Sequence, residues 1–241
     1  MARTAVVAMR CADEHECVPA VADAVRALLA ADRGVVLVSP GEAAGAATLA
    51  IGTTRYGRRA VPVMTHTLVD PADPAFAHPE GALDPAPLGV LEAEAIASLV
   101  EAGFPVVVSG HVPVVPWGDA YQPVSAVLDD SAAAQRLAGD LGALALIFVV
   151  ADDQLRLADS PPAGEVDMDE AEQLAAGSTL GAELRAAVRF LRAGGELAVI
   201  TTPSEAAVAF DGSGDGSRTL RIHRELARPR SDAPVLATGW C

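Results

Sequence analysis

Short, continuous apolar runs recur along this chain at residues 4–9, 35–38, 106–109, 144–150 and 196–201, and amphipathic helical patterns separate them. Apolar runs of this length without polar alternation read as strands buried on both faces. Residues 18–31 carry Val21, Val25, Leu28 and Leu29 at helical spacing before Gly34. Further helical patterns cover residues 42–50, 91–102, 131–141, 168–176 and 180–193, with Gly103 and the pair Gly194–Gly195 as stops. Strands alternating with helices imply a mainly parallel sheet covered on both sides, an α/β/α sandwich of three layers. Residues 61–65 add another strand, 70–89 a long Pro/Gly/Asp loop, and 111–127 a loop or hairpin. Beyond them, 152–167 reads as an acidic connection, 204–210 as a short helix, 211–217 as a flexible turn and 218–223 as a final edge strand. The expectation is one domain over 1–223 and a Pro/Arg-bearing tail over 224–241.

Hydrophobic residues make up 51% of the chain but aromatics only 4%, so the core must be aliphatic. The formal charge is −15. A chain this acidic repels nucleic acid and anionic membranes, and repels ATP unless arginines are focused locally. All 17 Lys+Arg residues are arginine, where average usage predicts roughly ten to fifteen lysines. A GC-rich genome thins lysine in this way. Three cysteines (Cys11, Cys17 and Cys241) and no secretory leader point to a reducing cytoplasm. No run of apolar residues is long enough for a membrane helix.

The segment CADEHEC places Cys11, His15 and Cys17 within seven residues. Thiolate and imidazole suit zinc or another soft metal, but the spacing matches no common zinc motif and a fourth ligand is missing. Thiol chemistry, a reversible Cys11–Cys17 disulfide and an incidental loop are the other readings. His111, Trp117, Asp119 and Tyr121 cluster in a segment that could form a pocket wall, a subunit interface or a surface hairpin. Asp129, Asp130, Asp152 and Asp153 could hold Mg²⁺ with a nucleotide. Their plainer reading is that Asp130 caps a helix and that Asp152 and Asp153 open a turn. Arg55, Arg58 and Arg59 form a basic cluster for an anionic ligand, or a solvated loop, whereas His66, His78 and His223 stand alone.

Several stretches, taken in order, resemble carbamate kinase of the amino-acid kinase superfamily. LVDPADPAFAHPEG at residues 68–81 is the most specific. LEAEAIASLVEAGFPVVVSG at 91–110 resembles the helix and strand leading to that family's Gly-rich turn. VSAVLDDSAAAQRLAGDLGALALIFVVADD at 124–153 and AAGSTLGAELRAAVRFLRAGGELAVITT at 175–202 resemble its later helix starts and core strands. The resemblance implies the amino-acid kinase fold, ATP and Mg²⁺ as cofactors if kinase activity is retained, and a homodimer.

The departures fall on the chemistry. Where the family has a Gly-Gly-Asn phosphate loop, this chain has Arg10, Cys11 and Ala12. Side chains there narrow the approach of phosphate to backbone N–H groups. The second Gly-rich loop becomes Ser39, Pro40, Gly41, Glu42 and Ala43, and the third becomes Ser109, Gly110, His111, Val112 and Pro113. Gly177 and Ser178 of the Gly-Ser motif remain, but its lysine falls near Glu183, or Ala182 by a slightly different alignment. The insertion that would act as a lid is shortened between residues 81 and 91. Phosphoryl transfer needs positive charge on developing oxyanions, and here that charge is removed at several positions together.

The resulting expectation is a diverged protein that has lost ordinary phosphotransfer and binds a small ligand, serves as a subunit, or runs altered chemistry in the ancestral crevice. Arg10, Cys11, His15 and His111 are the candidates for chemistry. Gly41, Gly110, Asp152, Asp153, Gly177 and Ser178 are the candidates for ligand or cofactor binding, and Cys11, His15 and Cys17 for a metal. The alternatives are an active kinase of a small acid or amine that uses arginines, and a thiol- or metal-dependent enzyme.

Overall fold

Residues Ala5 to Met9 form the buried centre of strand β1 (Thr4–Arg10), which runs parallel to β2 (Gly34–Val38) on one side and β7 (Ala145–Val150) on the other. The computed structural model describes residues 4–11, 14–39, 41, 43–52, 57–72, 87–124, 128–151, 154–155, 164–209 and 219–224, with the side chains of 14–16 left aside. Beyond β2 the sheet continues through β5 (Val106–Trp117), β3 (Val61–Val69) and β4 (Pro87–Val90). Beyond β7 it continues through β9 (Leu197–Thr201), β10 (Thr219–His223) and β8 (Gly164–Asp167). A further strand, β6 (Ala120–Pro123), pairs with the far end of β5. The pairs β3–β4, β5–β6 and β9–β10 are antiparallel and the others parallel.

Alternate residues of the central strands feed two separate cores, as the period of two along a strand requires. Val7, Met9, Leu37, Ile147 and Val149 face helices α1 (Glu14–Ala30) and α2 (Ala43–Ile51). Val6, Ala8, Val36, Val38, Leu146 and Phe148 face the other layer. That layer holds α3 (Ala93–Glu101), α4 (Asp130–Asp140), α5 (Met168–Ala175) and α6 (Gly181–Arg192). The expected three-layer sandwich with a mainly parallel sheet is therefore present. Its cores are built mainly of Ala, Val, Leu and Ile, with the buried rings of Phe148 and Phe190 among them. Close approach sets two glycines: a Cβ on Gly181 would lie 2.6 Å from the Ala175 carbonyl oxygen in the turn between α5 and α6, and one on Gly195 would collide with the buried Phe190 ring.

Several local expectations are corrected. Of the loop or hairpin expected over 111–127, the hairpin is present as β5 paired with β6, and β5 runs unbroken from Val106 through Ser109 to Trp117 because Val112, Val114 and Val115 keep it extended and Pro113 is tolerated opposite Thr67. Part of the expected loop before residue 91 is strand β4, antiparallel to β3. Residues 203–209 form successive turns in place of a helix. β10 is not an edge strand: β9 lies on one side and β8 on the other. Asp129, not Asp130, caps α4, accepting hydrogen bonds from the backbone N–H groups of Ser131 (2.7 Å) and Ala132 (3.1 Å). Residues 73–86, 152–153, 156–163, 210–218 and 225–241 lie outside the described residues, which takes in the shortened lid and most of the tail. Among the described residues no helix is long and apolar enough to cross a membrane.

Candidate functional site

Parallel β1, β2 and β5 end at the same edge of the sheet, beside the point where strand order departs from β1 in both directions. Open α/β sheets bind ligands outside such strand ends. Here the ends border a small crevice. It is lined by Met9 and Arg10 of β1, Val38 and Ser39 at the end of β2, Gly110 and His111 of β5, and Asp130 at the start of α4.

Arg10 is the cation of this crevice, and the protein's own carboxylates hold it. Its Nη1 donates to Asp130 Oδ2 at 2.8 Å and its Nε to Glu183 Oε1 at 3.2 Å. Glu183 is 6% exposed and also accepts a hydrogen bond from the Ser131 hydroxyl at 3.2 Å. Asp130 and Glu183 stand in the first turns of α4 and α6, where the helix dipole favours negative charge. Two helix N-termini that suit an anion thus carry carboxylates already.

His111 packs against β3. Thr65 Oγ1 lies 2.8 Å and Thr67 Oγ1 3.3 Å from its Nδ1, and both threonines are fully buried. The Thr65 hydroxyl donates to the Gly110 carbonyl at 2.9 Å, so it accepts from His111, which places the imidazole proton on Nδ1. Burial pushes the His111 pKa down to about 4, while the Glu92 carboxylate pulls the other way. The ring is neutral at physiological pH, with a lone pair on Nε2. Glu92 is itself held by His66, whose Nδ1 lies 2.6 Å from Oε1 and whose backbone N–H donates to Oε2 at 2.7 Å.

Comparison with known proteins fits this architecture. No established family profile matches the chain. It is 32% identical to the carbamate kinase of Halobacterium salinarum over 201 residues, covering 65% of this chain and 66% of that protein. It is 30% identical to the carbamate kinase of Thermococcus kodakarensis, covering 66% and 64%. The solved structure of Giardia carbamate kinase superposes with a TM-score of 0.78 at 21% identity, covering 93% of this chain and 99% of that one. The chain is a carbamate-kinase-like member of the amino-acid kinase superfamily. It spans just under two thirds of the length of the two curated relatives.

For a carbamate-kinase-like chain, the candidates from sequence separate into three groups. Arg10, Gly110 and His111 come together in the crevice. Cys11 lies next to it but is joined to Cys17 in a disulfide, with the Cα atoms 6.3 Å apart. In that form neither sulfur is a thiolate, so a metal held by Cys11, His15 and Cys17 requires the reduced loop. Among the described residues no cluster of three or more His, Cys, Asp or Glu is placed to hold a metal. Ser178 serves the entry to α6: its hydroxyl accepts from the Leu180 N–H at 3.0 Å, and its carbonyl from the Gly181 N–H at 3.1 Å. Gly177 sits beside it, and Gly41 turns the chain into α2 at φ +31°. The side chain of His15, and Asp152 and Asp153 altogether, lie outside the described residues.

Outside the crevice, Arg58 of the basic cluster stacks over Phe104 at 4.7 Å, and Arg55 lies outside the described residues. Trp117 and Tyr121 stand exposed on the β5–β6 hairpin, away from the crevice. Sequence reasoning missed Thr65 and Thr67 as partners of His111. Their signal was polar residues at alternate positions of an otherwise apolar strand, a face that must find hydrogen bonds when buried.

Proposed function

We propose that this chain is a diverged carbamate-kinase-like protein that binds a small ligand at the carboxyl ends of β1, β2 and β5 and does not carry out ordinary carbamate kinase phosphotransfer. One observation supports this above the others: the Arg10 guanidinium is already engaged by Asp130 and Glu183. A transferring phosphoryl group needs cations aimed at its oxygens. The described charges around this crevice are one arginine and two carboxylates, a balance that does not favour a phosphate. By resemblance the family's lysine position falls near Glu183, or at Ala182 by a slightly different alignment; either way a cation is absent there, and Glu183 holds Arg10. The protein is further proposed to be a homodimer, as the resemblance implies.

The test is nucleotide binding and turnover by the purified chain. Mg-ATP should leave the melting temperature unchanged, where a tightly binding nucleotide would raise it by several degrees. Transfer of the γ-phosphate to carbamate, abolished by Arg10→Ala, would overturn the proposal. The second reading, an active kinase of a small acid or amine, draws support from the 32% identity to the Halobacterium carbamate kinase. It requires Arg10 to leave its carboxylates when substrate arrives, and the same assay decides it.

A further inference from the structure

The disulfide between Cys11 and Cys17 spans the junction of β1 and α1, directly after Arg10 of the crevice. Two observations argue that the fold does not depend on it. Both cysteines belong to the buried core on the α1–α2 side of the sheet, so packing already holds them. Their separation in sequence is only 6, and a crosslink over a short span removes less entropy from the unfolded chain than one over a long span. The reduced state is provided for as well. Cys11 Sγ lies 3.7 Å from the Val149 carbonyl oxygen of β7, which is an acceptor for a thiol proton.

The bond restrains the first turn of α1. Cys17 stands in that turn, and Pro19 follows it inside the helix. Proline has no N–H to donate to the carbonyl of His15, one turn earlier, so the first turn lacks a hydrogen bond that would fasten it to the rest of the helix. The disulfide fastens it to β1 instead.

We propose that Cys11 and Cys17 form a thiol–disulfide switch that fastens the first turn of α1 to the end of β1 when oxidised and releases it when reduced. The reductant is a small thiol of the glutathione class. Its thiolate attacks one sulfur, the S–S bond breaks, and the other sulfur leaves as a thiolate and takes up a proton. A second glutathione thiolate then displaces the protein from the mixed disulfide. Two glutathione thiols become one glutathione disulfide, and the two electrons leave both cysteines as thiols. Glutathione disulfide runs the exchange in reverse. Because both cysteines are buried, attack takes place when the first turn of α1 opens, and the missing hydrogen bond at Pro19 favours that opening. Arg10 stays bound to Asp130 and Glu183 and Cys11 turns to Val149, so the end of β1 keeps its place while the turn beside it is freed.

The experiment uses the full chain carrying Cys241→Ser, which leaves the pair no third thiol for exchange. The protein is equilibrated in buffers of reduced and oxidised glutathione, quenched in acid, alkylated in denaturant and weighed. Both cysteines should be protected at the oxidising end and both alkylated at the reducing end, with the midpoint inside the range. Hydrogen exchange at Val18, Ala20 and Val21 should be about tenfold faster in the reduced form, and exchange from Ala5 to Met9 unchanged. Cys17→Ser should exchange like the reduced form at every glutathione ratio; if that variant does not fold, the two states of the unsubstituted pair still decide. A pair that stays reduced in glutathione disulfide, or stays oxidised in excess glutathione, would overturn the proposal. So would equal exchange in α1 of the two forms, or loss of protection throughout β1 on reduction, which would make the bond a prop of the fold.

Discussion

At the scale of single residues, His111 is where burial sets chemistry. An imidazole free in solution titrates near 6.5, and desolvation brings this one to about 4. Because the folded pKa is depressed, His111 contributes fully to stability above about pH 6.5. That contribution falls as the pH drops towards 4, where the unfolded chain binds a proton and the folded chain does not. The loss across that window is on the order of 3 kcal/mol at most. Denaturation of wild type and His111→Gln between pH 4 and 7 should show a steeper decline for wild type. Parallel curves would mean that His111 titrates normally. Arg10 shows another case, a partly exposed cation held by two acidic partners from different helices. Its neighbour in sequence, Cys11, closes back onto Cys17 and ties the end of β1 to the first turn of α1.

At the scale of elements, the adjacent aspartates at the start of α4 divide two tasks. Asp129 supplies the cap and Asp130 reaches Arg10. Asp129→Ala should therefore cost about 1 kcal/mol, read as a lower denaturant midpoint at unchanged slope. A cost near zero would show that the cap is supplied otherwise. Sequence identified the pair but gave the cap to Asp130. Either aspartate can cap a helix by local rules, and the choice depends on where Arg10 sits 120 residues earlier. β5 was likewise legible only in part. Its first four residues read as buried strand, while Pro113 and Pro116 obscured the remainder, which is held by pairing with β3 and β6.

At the scale of the whole molecule, an acidic, lysine-free chain builds two aliphatic cores on either side of one sheet. Its most protected part is the centre, where β1 and β7 pair in parallel and every residue from Ala5 to Met9 and from Ala145 to Val150 is buried. Amide hydrogen exchange should be slowest in β1 and β7 and fast in β6, whose residues are all exposed. Comparable protection in β6 would contradict the arrangement.

The layered α/β class, the largely aliphatic core and the amino-acid kinase resemblance were legible in sequence alone. Each depends on residue type at local spacing, which a linear pattern preserves. The pairing of Arg10 with Asp130 and Glu183 and the tautomer of His111 were decided by tertiary structure. These features join residues 45 to 173 positions apart. Local rules record neither distance in space nor exclusion of water, and in this crevice those two quantities set the chemistry.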